Sequence, residues 1–196
     1  MSKPGLASLK PPPAVQTVMR ILLTGAGNPF GKAIVEALLR DGHHIRVFGD
    51  GPETIRGLDR LGTVAWYPGD LQVGGSIEPA LSERQVIVHA APCDEPGKDA
   101  RQHAVKVERG SLYARYGAER EQVDHFIHVA PAEPERAWRT VQQNAVQAVQ
   151  GMRGDIVTTF IPAKTPEQAA RDVVAALKAK PLLGKQPGRE TDAVTA

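Results

Sequence analysis

Short apolar runs alternate with segments whose apolar positions recur every three or four residues. A continuous run at 19–23 predicts a strand buried on both faces. A glycine-rich stretch follows, then a helix over 31–40 with Ile34, Ala37 and Leu38 on one face, ended by Asp41-Gly42. Strands are predicted at 44–48, 64–67, 86–89, 125–129 and 156–161, with helices at 55–61, 77–81, 100–116 and 134–151 between them. The last helix opens on Thr165-Pro166-Glu167-Gln168, a capping box with proline at the first helical position. Its stripe of Ala170, Val173, Val174 and Leu177 is expected to face the sheet, and Lys178 and Lys180 suit its C-terminal turn before Pro181. Six strands alternating with helices predict a doubly wound parallel α/β sheet in three layers.

Composition narrows this reading. The 196 residues suffice for one domain over 19–183, with flexible segments expected at 1–18, which carries Pro11-Pro12-Pro13, and at 184–196. Aromatic residues make up only 5%, so the core must be largely aliphatic. The formal net charge is +2, and basic residues are not interleaved with aromatics, so no nucleic acid partner is expected. No apolar run is long enough to span a membrane and the N-terminal stretch lacks an apolar signal core, so a cytoplasmic setting is expected. Cys93 is the single cysteine, with no surrounding signature of a nucleophile. His43 and His44 are neighbours on a strand and point to opposite faces, so no metal site is predicted.

The chemistry suggested by the sequence begins after the first strand. In Thr24-Gly25-Ala26-Gly27-Asn28-Pro29-Phe30-Gly31, glycines permit a tight turn and close approach of backbone to a pyrophosphate at the following helix start. This stretch resembles the Thr-Gly-x-x-Gly-x-x-Gly loop of extended and atypical short-chain dehydrogenase/reductase (SDR) proteins, with Gly25 and Gly31 at the outer glycines and Asn28 at the middle one. Asn tolerates positive φ better than other non-glycine residues, so Asn28 is expected to keep the turn. Gly69-Asp70-Leu71 is similar to the family's Gly-Asp-Leu, and Val88-His89-Ala90-Ala91 to its cofactor-lining segment. Residues 157–162 and 165–177 resemble its sixth strand and late helix, so the resemblance covers about 19–181. It implies a Rossmann-like fold and NAD or NADP as cofactor, with Gly25, Gly27, Asn28, Phe30, Gly31, Asp50, Asp70, Leu71, Ala90 and Ala91 at the binding site. Asp50, next to Gly49 at the end of the second strand, would favour NAD by repelling a 2′-phosphate, or be part of a turn only.

The resemblance also implies a Tyr-x-x-x-Lys pair and a serine ending the fifth strand, and the chain departs from both. The fifth strand ends Val129-Ala130-Pro131, and Trp138 and Gln142 fall where Tyr and Lys belong. Tyr113 and Tyr116 precede that strand, and no Tyr-x-x-x-Lys occurs anywhere in the chain. His89 and His128, near the ends of adjacent central strands, are the remaining acid/base candidates, or ordinary strand-end histidines. Three readings stay open: an SDR-like pseudoenzyme subunit or cofactor-sensing scaffold, an oxidoreductase or epimerase using His128, and a structural subunit without nucleotide. The first implies a homo- or hetero-oligomer, for instance beside an active SDR paralogue, with Ala137, Val141, Ala145, Val146, Ala148 and Val149 facing either a partner or the sheet.

Overall fold

The computed structural model describes residues 17–49, 51–94 and 100–179. Six strands, β1 (Arg20–Thr24), β2 (His44–Phe48), β3 (Val64–Tyr67), β4 (Val86–His89), β5 (His125–Pro131) and β6 (Val157–Ala163), form one sheet. Every pairing is parallel, in the order β3-β2-β1-β4-β5-β6. The order reverses between β1 and β4, so the crevice that such sheets use for ligands opens at the carboxyl ends of these two strands.

Strand periodicity divides the core in two. Ile21, Leu23, Val47, Val88 and Ile127 face α1 (Pro29–Arg40) and the final helix, which contributes Ala169, Val173 and Leu177. Leu22, Ile87 and Phe126 face the other way, towards Leu81 of α2 (Glu78–Leu81), Ala114 and Ala118 of α3 (Ala100–Arg120), and Val149 of α4 (Arg139–Gly151). The final helix, α5 (Pro166–Ala179), completes a three-layer Rossmann-like α/β/α fold. Its cap forms as the sequence predicts at Thr165, whose hydroxyl accepts from Gln168 N–H at 3.2 Å. The Gln168 side chain reaches one residue further back, accepting from Lys164 N–H. Val174 is half-buried, with Ala169 taking its place in the buried stripe.

Several predicted bounds change. The helix expected at 55–61 is two 3-10 turns, Pro52–Ile55 and Asp59–Leu61, because Gly57 between them has φ of 75°. The helix expected from 134 starts only at Arg139, after a turn over 136–138. α3 runs past Tyr116 to Arg120, since Gly117 and Ala118 are buried there and a Cβ on Gly117 would stand 2.8 Å from Ile77 Cγ2. β1 is shifted one residue later, and α1 begins at Pro29 rather than Gly31. β5 and β6 each extend two residues further, and Pro162 is accommodated because β6 is an edge strand. Apart from residues 17 and 18, the predicted flexible segments lie outside the described residues.

A Cβ added to Gly31 would collide with the Gly25 carbonyl oxygen, so Gly31→Ala must move the first turn. The expected cost is about 1–3 kcal/mol, read as a lowered midpoint in urea unfolding. Gly151→Ala, whose Cβ would meet nothing within 4 Å, serves as control and should leave stability unchanged or slightly raised.

Candidate nucleotide site

β1 delivers the chain to Gly25, whose φ of 80° a side chain would strain. A Cβ there would also lie 2.5 Å from Ala91 N, so the turn rests directly on the backbone that follows β4. Asn28 does not act as a substitute glycine. Its φ is −89°, and it is the N-cap of α1, with its Oδ1 accepting from Gly31 N–H at 2.8 Å. Its Nδ2 donates to Ala90 O at 3.0 Å and to Asp94 Oδ1 at 2.7 Å. The side chain is thus buried, at 6% exposure, and bridges α1 to the segment after β4.

This cap alters the anion-binding capacity of the helix start. Pro29 has no N–H, and the Gly31 N–H is bonded to Asn28. Helix N-termini attract anions through such N–H groups and the macrodipole, and two of the first-turn positions contribute no open donor here. Asp94, itself bonded to Lys106 Nζ of α3, places a carboxylate at this end of α1.

Beside it, a cavity of about 160 Å³ is lined by Gly25, Phe48, Gly49, Gly69, Asp70, Leu71, Gln72, Ala91, Asp94 and Lys106. Of the residues singled out in the sequence, it gathers Gly25, Asp70, Leu71 and Ala91. Gly49 has φ of 74° and Gly69 admits no Cβ against the Phe48 ring, so glycines keep this wall open. Asp70 is exposed, and its Oδ1 accepts from Gln72 N–H at 2.8 Å. Ala90 and Gly31 are packed beneath the site, and Gly27 is exposed on the turn. Phe30 lies instead at a second cavity of about 350 Å³, with Pro131, Glu133, Ala163 and Lys164. Asp50 lies outside the described residues. Asp94 and Lys106 carried no motif; their meeting needs the register of α3 against β4, which no local pattern encodes.

The two residues that fall at the resembled Tyr and Lys positions are engaged in packing and in a hydrogen bond. Trp138 is the N-cap of α4, and its ring meets His103 of α3 edge-on at 4.8 Å between centroids. Gln142 is buried and its Nε2 donates to Pro92 O at 2.6 Å, tying α4 to the segment after β4. A cleft of about 650 Å³ between α4 and the end of β5 is lined by Ala130, Pro131, Glu133, Arg139, Gln142 and neighbouring amide side chains. Cys93 is buried, its Sγ donates to Val129 O at 3.7 Å, and burial with Asp94 nearby pushes its pKa up to about 12. It is therefore a thiol and no nucleophile near neutral pH.

His89 and His128 do not open into the crevice. Both lie on the face covered by α3 and α4, their rings 5.5 Å apart. Ser111 Oγ donates to Val107 O, so it accepts from His89 Nε2–H at 3.1 Å, while His89 Nδ1 accepts from the Thr24 hydroxyl at 2.7 Å. Among the described residues, both ring nitrogens of His128 lack a hydrogen-bond partner, and the residue is 1% exposed. Burial drives His89 well below its ordinary pKa and lowers His128 to about 4. Two neutral, enclosed imidazoles are core residues, and the expectation of His128 as a proton donor finds no geometry to support it.

No protein-family model matches the chain, and no curated protein matches it in sequence. Solved structures do match in fold. A protein assigned to the short chain dehydrogenase/reductase family of oxidoreductases from Aeromonas hydrophila is 18% identical, with TM-score 0.63 over 84% of this chain and 93% of that one. The enzyme WbmG of Bordetella bronchiseptica, in complex with NAD and UDP, is 18% identical, with TM-score 0.61 over 74% of this chain and 53% of its own. A protein assigned as an NAD-dependent epimerase/dehydratase from Bacillus halodurans is 19% identical, with TM-score 0.62 over 74% of this chain and 69% of that one. The chain spans about half the length of several solved structures it matches. The chain has the short-chain dehydrogenase/reductase type of fold.

The histidine environment predicts a pH dependence. The His128 pKa of about 4 lies below the value of ~6.5 for an unfolded histidine, so the unfolded chain binds more protons between them. Stability contributed by neutral His128 is present above pH ~6.5 and lost as pH falls towards ~4. His128→Leu should remove about 2 kcal/mol of that acid-side loss, measured as urea midpoints near neutrality and near pH ~4.5. His89 is lowered in the same direction, so part of the slope should remain.

Proposed function

We propose that this chain is an SDR-fold protein that holds NAD(H) or NADP(H) without the family's carbonyl chemistry and acts through protein contacts. The observation that carries this reading is the use made of the two positions resembling the catalytic pair. Trp138 has no acidic hydroxyl, and Gln142 carries no charge and is spent on the Pro92 carbonyl. With no Tyr-x-x-x-Lys elsewhere in the chain, no proton relay of the standard kind is available.

Support for a cofactor comes from the glycine-walled cavity at the topological switch point and from related folds solved with NAD. The cavity fits one ring system: 160 Å³ is about five water volumes, below the roughly 300–1,000 Å³ of pockets for drug-sized ligands. Gly25, Gly49 and Gly69 would admit the adenosine end, and Asp70 offers a carboxylate to a ring amino group. Among the described lining residues the one cation, Lys106, is engaged by Asp94, which favours NAD over a ligand bearing a further phosphate. The bound group would supply hydride chemistry, whereas these residues bind and orient it and supply no acid.

An oligomeric role, as a subunit beside a like or an active chain, is favoured by exposed Tyr116 on α3 and exposed Ala137 just before α4. Val141, Val146 and Ala148 are half-buried, whereas Ala145 and Val149 face the core. Calorimetric titration of the purified chain with NAD(H) and NADP(H), paired with a carbonyl turnover panel, tests the proposal. Binding of NAD(H) without turnover is the expected result. Absence of binding by either dinucleotide would leave a purely structural subunit. Turnover that His128→Ala abolishes would overturn the non-catalytic reading in favour of an active oxidoreductase or epimerase.

A further inference from the structure

We propose that Asp94 holds the place of the ligand's pyrophosphate and sets how tightly a phosphorylated ligand binds; the identity of that ligand rests on the dinucleotide reading above. Asp94 directly follows the 3-10 turn Ala91–Cys93 that caps β4, and its carboxylate reaches across the switch-point crevice to the start of α1. There it accepts from the Asn28 amide at 2.7 Å and from the Lys106 ammonium of α3 at 2.5 Å. An amide and an ammonium converging at a helix N-terminus are the donors that a phosphate oxygen would take. The protein supplies the anion itself.

Three further features fit an internal anion. Asp94 is only 17% exposed in its side chain, so its charge is little screened. Both Asp94 and Lys106 line the adjoining cavity, which places any ligand seated there within reach of this pair. The helix has few donors of its own to offer instead, since Pro29 has none and the Gly31 N–H is bonded to Asn28. A phosphate entering the crevice therefore meets a carboxylate of like charge and binds only by displacing it, inheriting Lys106 and the Asn28 amide. A ligand without phosphate meets no such barrier.

The test uses the full chain, with Asp94→Ala and Asp94→Asn compared to the wild type by calorimetry at low ionic strength. The probes are inorganic pyrophosphate, NAD and adenosine. The asparagine variant keeps the size of the side chain and removes its charge, so a result stands even if the alanine variant folds poorly. Both variants should bind pyrophosphate and NAD at least about tenfold tighter than the wild type, with adenosine unchanged. NAD bound equally or more weakly by the variants overturns the role of Asp94 and leaves the dinucleotide reading standing. Tightened pyrophosphate binding with no NAD binding by any variant supports the internal anion and overturns the dinucleotide reading. Folded variants that bind neither pyrophosphate nor NAD overturn both.

Discussion

The carbonyl of Gly25 lies so close to the α-carbon of Gly31 that no side chain fits between them, and Gly25 is itself pressed onto the backbone of Ala90 and Ala91. This two-sided backbone contact draws the carboxyl ends of β1 and β4 and the start of α1 together. Interiors packed at crystal density do not yield to an added methyl group without a backbone shift, so the contact is a hard constraint. The position of Asn28 follows from it. Only with α1 this close can one amide cap the helix, reach the Ala90 carbonyl and meet Asp94.

The same convergence determines what polar chemistry the fold can hold. At the ends of the central strands, Thr24, His89 and Ser111 form a closed chain of hydrogen bonds beneath α3. Each donor in it has an acceptor, which leaves no proton to exchange with a ligand. His128, without a hydrogen-bond partner among the described residues, is kept neutral by its burial. Under the same layer of helices, Gln142 joins α4 to the Pro92 carbonyl and so ties that helix to the segment after β4. The histidines thus serve packing, and two charged groups of the crevice, Asp94 and Lys106, serve each other.

Much of the fold was legible locally. Strands β2, β3 and β4 fall on their predicted residues because each is a short run rich in β-branched and aromatic residues between turn residues. The start of α5 was readable from Thr165 to Gln168, since a capping box is a contact between residues three apart. Elements failed where a distant contact decided them. The length of α3 depends on Ile77 lying against Gly117, and the late start of α4 on the turn that brings Trp138 to His103. Asn28 was misread because its extended backbone, and not a positive φ, is what a cap requires.

By itself, then, the sequence determined the strand–loop–helix order, the glycines of the first turn, and the want of any Tyr-x-x-x-Lys. These are properties of neighbouring residues, set by periodicity, φ preference and side-chain chemistry. Only the tertiary structure decided that His89 and His128 are sealed beneath α3 and α4, and that Asp94 meets Asn28 and Lys106 at the helix start. Burial and ion pairing belong to the packing of one element on another. A side chain's charge and reach are written in its residue type, but what it faces is settled by the register of helices against the sheet.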